Sequence, residues 1–314
     1  MKPKIILIGA GNFGKNHFRN LLKLHKQKIV DFIGVVDTDQ KILDEINLKY
    51  KLQTSKNHKK FIKIADAFHV VTPASTHYGL VKELLKNKKH VFVEKPLTLN
   101  SKSSQELAML AKKNKVILQV GHIFRFNSSV NLLKKIIQTK ENTPYFITGQ
   151  FLQSTNPKSD VGAIFNYLHL IDILDNIIGK SPKKIFSYSN LQLNNPQREI
   201  NANISVEYTK KLHANLNVGW IPTGKYRMLE IFTNKEHIKC DLLKQKVEIY
   251  RKGLLKKEII FKHEEPLYLE IKDFLKCMKK KTVPKADGFI GTKIVKIAEI
   301  AKKSSESGKI INFV

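Results

Sequence analysis

The residues best suited to chemistry sit in loops that follow short apolar runs. Gly9-Ala10-Gly11-Asn12-Phe13-Gly14 comes directly after the apolar stretch 5–8 and opens an amphipathic segment through Asn16, Phe18 and Leu21. In that setting each glycine has its own reason: Gly9 allows a tight turn, Gly11 lets the backbone approach a pyrophosphate, and Gly14 lets a helix pack closely on the strand. The helix N-terminus, with Asn12 and Phe13 leading into it, faces the phosphates of a dinucleotide. Asp37 ends the next apolar run, 23 residues after Gly14. A carboxylate there accepts the hydroxyls of an adenosine ribose and repels a 2′-phosphate, which favours NAD over NADP as cofactor. The competing reading is that Asp37, or Asp39 beside it, caps the following helix.

Two later apolar runs end in Val71-Thr72-Pro73-Ala74-Ser75-Thr76-His77 and Val93-Glu94-Lys95-Pro96. Ligands of open parallel sheets bind at the carboxyl ends of the strands, so Thr72, Pro73, Ser75, His77, Glu94 and Lys95 are expected to line the cofactor crevice. The Lys95–Pro96 bond is of the kind that adopts cis, which re-aims the preceding side chain. Its type alone does not single out Lys95, because the chain has 51 lysines and lysine is a surface residue by default.

These loops need a scaffold, and the first 121 residues supply one by alternating apolar runs with amphipathic stretches. Strands are predicted at 3–8, 31–37, 67–72, 90–93 and 116–121, and helices at 13–25, 39–50, 76–87 and 101–114, the last with Ser101 as cap. Right-handed crossovers turn this order into a doubly wound parallel sheet. After Gly121 the rhythm changes. Helices at 127–139 and 163–178 precede a region of strands from about 183 to 261, such as the alternating segment 212–218. Strands in succession imply an antiparallel sheet with one face free for helices or another subunit. Helices at 266–280 and 288–306 follow, the latter stopped by Gly308. The expected class is α/β: an N-terminal Rossmann domain at 1–121, then an α+β domain at 122–314 with a large, mostly antiparallel open sheet. The C-terminal helices are free to pack back on the first domain.

Composition bounds the reading. At 314 residues the chain exceeds the ~250–300 at which one core stops growing, so two domains are expected. The two cysteines, Cys240 and Cys277, form no CxxC pair and no zinc-ligand cluster, which points to a reducing, cytoplasmic setting without structural metal. No apolar run approaches the ~18–20 residues of a membrane span. The formal charge of +29 invites a nucleic-acid partner, yet 51 of the 56 basic residues are lysine and only 5 are arginine, the side chain suited to bidentate phosphate and base contacts. The lysines are dispersed, as at Lys59-Lys60 and Lys183-Lys184, like a solvated coat. Nucleic acid is therefore not expected as partner, while steering of small anions toward a cleft remains.

Taken together the segments resemble the glucose-fructose oxidoreductase, inositol dehydrogenase and rhizopine-catabolism (Gfo/Idh/MocA) family. The resemblance runs through GAGNFG at 9–14, VVDTD at 35–39, TPASTH at 72–77, HVFVEKP at 90–96, VGHIFRFN at 120–127, HLID at 169–172, GWIPTGKYR at 219–227 and the closing 287–308. EKP is the most diagnostic of these. The resemblance implies an NAD(P)-dependent enzyme that transfers hydride to or from the hydroxyl or keto carbon of a sugar, polyol or nucleotide-linked sugar. It also implies a homodimer or homotetramer built on the open sheet. It makes Lys95 the lysine beside the nicotinamide and the reacting hydroxyl, and His169 the acid or base. Inositol dehydrogenases of the family carry an aspartate four residues before that histidine. Here that position is Phe165, and with the spacing from Gly162 one residue short, Asn166 stands where the aspartate belongs. An amide orients an imidazole but does not stabilise its charged form as a carboxylate does.

The expected reaction needs a proton to leave oxygen as hydride leaves carbon, work suited to His169, with Lys95 stabilising the alkoxide or relaying its proton. Asn166 lies three residues before His169 on a predicted helix and would share its face. The alternative for His169 is a hydrogen-bonded core histidine between Leu168 and Leu170. His122, Arg125 and Asn127, just past the domain junction, are expected to touch substrate, with Tyr167 and Tyr226 as weaker candidates. Arg125 would grip a phosphate or carboxylate bidentately, or else form an ion pair tying the domains together. A second class of function keeps the fold and drops the chemistry: a dinucleotide-binding regulator or scaffold, which the missing aspartate permits. Retention of both Lys95 and His169 argues for the enzyme.

Overall fold

The computed structural model describes residues 2–139, 141–155, 160–192, 195–262 and 265–313. The chain folds as two compact units, Met1–His122 with Leu267–Lys293, and Ile123–Pro266 with Ile294–Val314.

In chain order the first unit carries β1 (Lys4–Ile8), α1 (Gly14–Lys26), β2 (Asp31–Val36), α2 (Gln40–Tyr50), β3 (Gln53–Ser55), α3 (Lys59–Ile62), β4 (Ala67–Val70), α4 (Ala74–Lys86), β5 (His90–Glu94), α5 (Ser101–Asn114) and β6 (Leu118–Gly121). Among the described residues these strands form a six-stranded parallel sheet in the order β3-β2-β1-β4-β5-β6. The chain winds outward from β1 through β2 to β3 and then returns to β1's other side at β4. The switch point therefore lies at the carboxyl ends of β1 and β4. Ile5, Ile6 and Leu7 are wholly buried, as a strand covered on both faces requires. The core continues through Phe61, Phe68, Val81, Leu84, Val91 and Val120. β3 and α3 were not expected: Gln53-Thr54-Ser55 is an edge strand with no apolar signature. Asn100, not Ser101, caps α5, accepting from the Ser103 amide at 2.8 Å.

The second unit begins with a 3₁₀ turn (Ile123–Phe126), followed by α6 (Ser128–Ile137), β7 (Pro144–Gln153), α7 (Ala163–Asn166) and α8 (His169–Ile178). Then come β8 (Lys184–Gln192), β9 (Asn195–Thr209), β10 (Leu212–Trp220), β11 (Lys225–Thr233), β12 (His237–Asp241), β13 (Lys246–Arg251) and β14 (Leu254–Ile260). Helix α9 (Pro266–Lys280) lies almost wholly in the first unit. Helix α10 (Gly288–Ser307) begins in the first and continues in the second, where β15 (Ile311–Asn312) ends the fold. Nine strands among the described residues order as β14-β13-β12-β11-β7-β10-β9-β8-β15. Every pair is antiparallel except β7 with β10. The strand β7, absent from the expectation, lies between β11 and β10. Its Gly149 lets α8 approach: a Cβ there would stand 2.9 Å from the Leu170 side chain. No helix of the described residues is long and apolar enough to cross a membrane.

Candidate active site

In the first unit the glycine loop is fixed by sterics. Gly9 has φ +91°, and a Cβ on it would collide with the Val71 carbonyl oxygen, so β1 and β4 loops touch at the switch point. A Cβ on Gly14 would collide with the Gly9 carbonyl oxygen. Gly11 is different: nothing lies within 4 Å of where its Cβ would be. That open cradle, before a helix with no acidic residue in its first turn, fits the pyrophosphate of NAD. Asn12 and Phe13 are exposed beside it. Asp37 accepts from the Ala10 amide at 2.7 Å and the Asp39 amide at 3.0 Å, which ties it to the glycine loop. The helix-capping role belongs to Asp39, which accepts from the Lys41 amide at 2.8 Å.

The β4 and β5 loops are joined by His77. Its Nδ1 meets the Pro96 carbonyl at 2.8 Å and its Nε2 the Thr72 carbonyl at 2.9 Å. Both acceptors are carbonyl oxygens, so the two bonds coexist only when both ring nitrogens carry protons. Thr72 is further held by the Thr76 hydroxyl at 2.7 Å, while Pro73 and Ser75 are exposed. The Lys95–Pro96 bond is cis, and Lys95 is half-buried.

Glu94 is held at both oxygens. Oε2 accepts from the Lys95 amide at 3.2 Å, and Oε1 lies 2.9 Å from His17 Nε2. Gly121 makes the room, since a Cβ there would come within 2.6 Å of Oε1. His17 Nδ1 in turn lies 3.2 Å from His69 Nδ1, and both rings are fully buried. The protons follow from the partners. With Glu94 ionised, His17 Nε2 donates to it; when His17 is neutral its Nδ1 accepts, and His69 then donates from Nδ1. Burial, then the neighbouring His17, push the His69 pKa well below 6.5, which keeps that ring neutral. The His69 ring stacks on Phe92 at 4.8 Å and meets Phe274 of α9 edge-on at 5.5 Å. His122 is buried at the end of this unit.

In the second unit His169 is the first residue of α8, half-buried against Phe124 at 5.1 Å and Phe151 at 5.9 Å between ring centres. Asn166 does not share its helix: α7 ends at Asn166 and the chain breaks at Tyr167 (φ −106°, ψ 33°) before α8 begins. The expectation of one helix over 163–178, with both side chains on one face, is corrected accordingly. Arg125 is buried in an ion-paired triad, its Nε 2.6 Å from Asp172 and its Nη2 2.6 Å from Asp175, both on α8. Both aspartates belong to Arg125's own unit. Asn127 caps α6, accepting from the Ser129 and Val130 amides at 3.0 and 3.2 Å. Tyr167 is buried 5.5 Å from Trp220, and burial pushes its phenol above the usual range. Tyr226 is half-exposed. Lys95 belongs to the first unit and His169 to the second.

Sequence reasoning missed three residues at these sites. His17 and His69 were hidden inside apolar segments, the signal for His69 being a lone imidazole within the buried run Ala67–Val70. Arg227 was passed over within 219–227, although it is one of only five arginines.

Residues 4–122 match the family described as oxidoreductase family, NAD-binding Rossmann fold, of the Gfo/Idh/MocA type. The chain is 21% identical to a UDP-N-acetylglucosamine 3-dehydrogenase of Acidithiobacillus ferrooxidans, over 93% of this chain and 94% of that protein. It is 26% identical to a myo-inositol 2-dehydrogenase of Thermotoga maritima, over 98% of each. The fold superposes on the solved Acidithiobacillus enzyme with a TM-score of 0.87, covering 98% of this chain and 99% of that one at 21% identity. It superposes equally, at 0.87, on an NAD complex of GenD2 from gentamicin A biosynthesis, with 17% identity and coverage of 100% and 97%.

Proposed function

We propose how this chain, which belongs to the Gfo/Idh/MocA oxidoreductase family and binds NAD, carries out its reaction: His169 and Lys95 together move the proton of a sugar hydroxyl as hydride leaves its carbon. NAD, when bound, supplies the hydride acceptor, or in its reduced form the donor. On oxidation the hydroxyl proton passes to the His169 imidazole, and the Lys95 ammonium stabilises the oxygen as negative charge develops. In reduction both groups act in reverse. Asn166 orients the reacting group, and Asp37 gives the preference for NAD over NADP through the adenosine ribose. His122 and Tyr167 are further candidates for substrate contact. The open sheet of the second unit serves assembly into a homodimer or homotetramer.

The observation that carries this reading is the fixation of the Glu94-Lys95-Pro96 turn. Glu94 is gripped by His17, the Lys95 amide is tied to Glu94, and the Pro96 carbonyl is tied to His77. A lysine needed only for solubility has no use for so constrained a backbone. The relatives named UDP-N-acetylglucosamine 3-dehydrogenase and myo-inositol 2-dehydrogenase support a sugar, polyol or nucleotide-linked sugar as substrate. The test is NADH formation or consumption with UDP-N-acetylglucosamine, myo-inositol and related sugars. Lys95→Met and His169→Asn should each lower kcat by about 10²–10⁴-fold with NAD affinity nearly unchanged. NAD binding without turnover across the panel would favour the regulator, for which Asn166 in the aspartate's place is the supporting observation.

A further inference from the structure

The strand β11 presents Arg227, Leu229, Ile231 and Thr233 to the buried face of the nine-stranded sheet. Arg227 thus holds a place that strand alternation gives to apolar side chains. It is only 8% exposed, with its guanidinium 4.5 Å from the Phe151 ring centre and 5.2 Å from that of Tyr167. Its hydrogen bonds all go to neutral acceptors: Nη2 to Gln153 Oε1 at 2.6 Å, and Nη1 to the Tyr226 and Leu152 carbonyls at 3.2 and 3.5 Å. Two other arginines of this unit are matched with carboxylates, Arg125 with Asp172 and Asp175, and Arg251 with Glu236. Arg227 has no such partner among the described residues.

A second polar group lies beside it. The Tyr167 hydroxyl is buried, with Arg227, Asn166 and Thr155 as its polar neighbours. Burial holds that phenol in its protonated, donor form and pulls the Arg227 pKa down, as expected for a cation removed from water without a counter-ion. A desolvated guanidinium with no carboxylate is costly, and an anion is what completes it. Phe151 links this corner to the chemistry, because its ring touches both Arg227 and His169.

We propose that Arg227, with the Tyr167 hydroxyl, reads an anionic group of the substrate. Resting on the function proposed above, this assigns the substrate to the anionic sugars, bearing a carboxylate or a phosphate. The guanidinium edge that includes Nε–H donates to two anionic oxygens, and the phenol adds a third donor.

The test uses the full chain loaded with NAD, titrated with D-glucose, D-glucuronate, D-glucose 6-phosphate and UDP-N-acetylglucosamine. Affinity is read by calorimetry and the arginine Nε–H signals by NMR, the five arginines keeping that spectrum simple. At least one anionic ligand should bind roughly ten- to hundredfold tighter than glucose and shift the Arg227 signal. Which one does so separates carboxylate from phosphate from diphosphate. Arg227→Met should remove that preference and leave NAD affinity unchanged, whereas Arg227→Lys, with charge but no fork, should retain only part of it. Equal binding of glucose and all three anions, or a preference that survives Arg227→Met, overturns the proposal. If the Met variant does not fold, the wild-type titration and the Lys variant decide. Binding that needs Arg227 but yields no NADH with any ligand would instead overturn the dehydrogenase reading and leave this one standing.

Discussion

Replacing Arg125 separates its internal role from substrate contact. In the triad one guanidinium faces two carboxylates, and Asp172 is fully buried. Burial raises the Asp172 pKa from 3.8 to about 7, Arg125 opposing the rise and Asp175 adding to it. A carboxyl whose folded value lies above its unfolded one favours the folded chain while protonated. Its contribution is complete below pH 4 and is lost as the pH climbs from about 4 to 7. The climb in pKa corresponds to roughly 4 kcal/mol. Asp172→Asn keeps an oxygen for Arg125 Nε and removes the charge. It should match the wild type near pH 4 and exceed it at pH 8 by up to roughly 4 kcal/mol. Arg125→Met takes the guanidinium away from two carboxylates and should cost about 3–5 kcal/mol, more at pH 8 than at pH 5. Urea denaturation at pH 4.5 and pH 8 measures both. A stability difference between Asp172→Asn and wild type that does not change with pH would refute the argument. Because Arg125 ties the 3₁₀ turn bearing Phe124 to the helix that begins with His169, Arg125→Met should also lower kcat, an effect that Asp172→Asn should spare.

The cofactor half carries further expectations. Asp37→Ser removes the acceptor of the Ala10 amide along with the proposed ribose contact, so NAD should bind about ten- to hundredfold more weakly while NADP gains relative to it; an unchanged ratio would mean that the acid does not reach the ribose. His69→Val deletes the partner that positions His17 against Glu94, and NAD binding measured by calorimetry should weaken about three- to tenfold, with His69→Asn, which retains a hydrogen-bonding group, recovering part of the loss. His69 stays neutral in the folded chain below pH 6.5, where the unfolded chain takes up a proton, so stability falls as the pH drops below that value. His69→Val should flatten that acid arm in thermal denaturation.

The scaffold of the first unit was legible wherever a strand is covered on both faces. There a continuous apolar run has no other use, and β1, β2, β4, β5 and β6 lie within two residues of the expectation. Legibility failed where tertiary packing overrides local pattern. Gln53-Thr54-Ser55 becomes a strand only because β2 offers it an edge, with Gly34 opposite Gln53. In β7, Thr148, Gly149 and Gln150 interrupt the apolar pattern, and the glycine is needed for Leu170 rather than for any property of its own strand. The break between α7 and α8 has no proline or glycine to announce it. It follows from burying Tyr167 against Trp220, a contact across more than fifty residues of sequence.

The site divides along the same line. The glycines of the loop were readable because backbone geometry dictates them: φ at Gly9 and the clash at Gly14 leave no alternative. Roles that depend on a partner were not. For Arg125 a substrate contact and an ion pair stood as alternatives, and its Nε and Nη2 pair with Asp172 and Asp175; Asn127, expected to touch substrate, has its Oδ1 accepting from the first turn of α6. Conversely His69, which no motif marked, and Arg227, passed over within 219–227, interrupt an apolar period on a buried face. A neutral core would be served as well by valine at either position, and a polar side chain there is retained against its desolvation penalty. For His69 the gain is visible in the bond to His17, whereas for Arg227 no anion within the described chain repays that penalty. An interrupted apolar period is thus a sequence signal in its own right, and in this chain it picks out both the support of Glu94 and the anion corner beside His169.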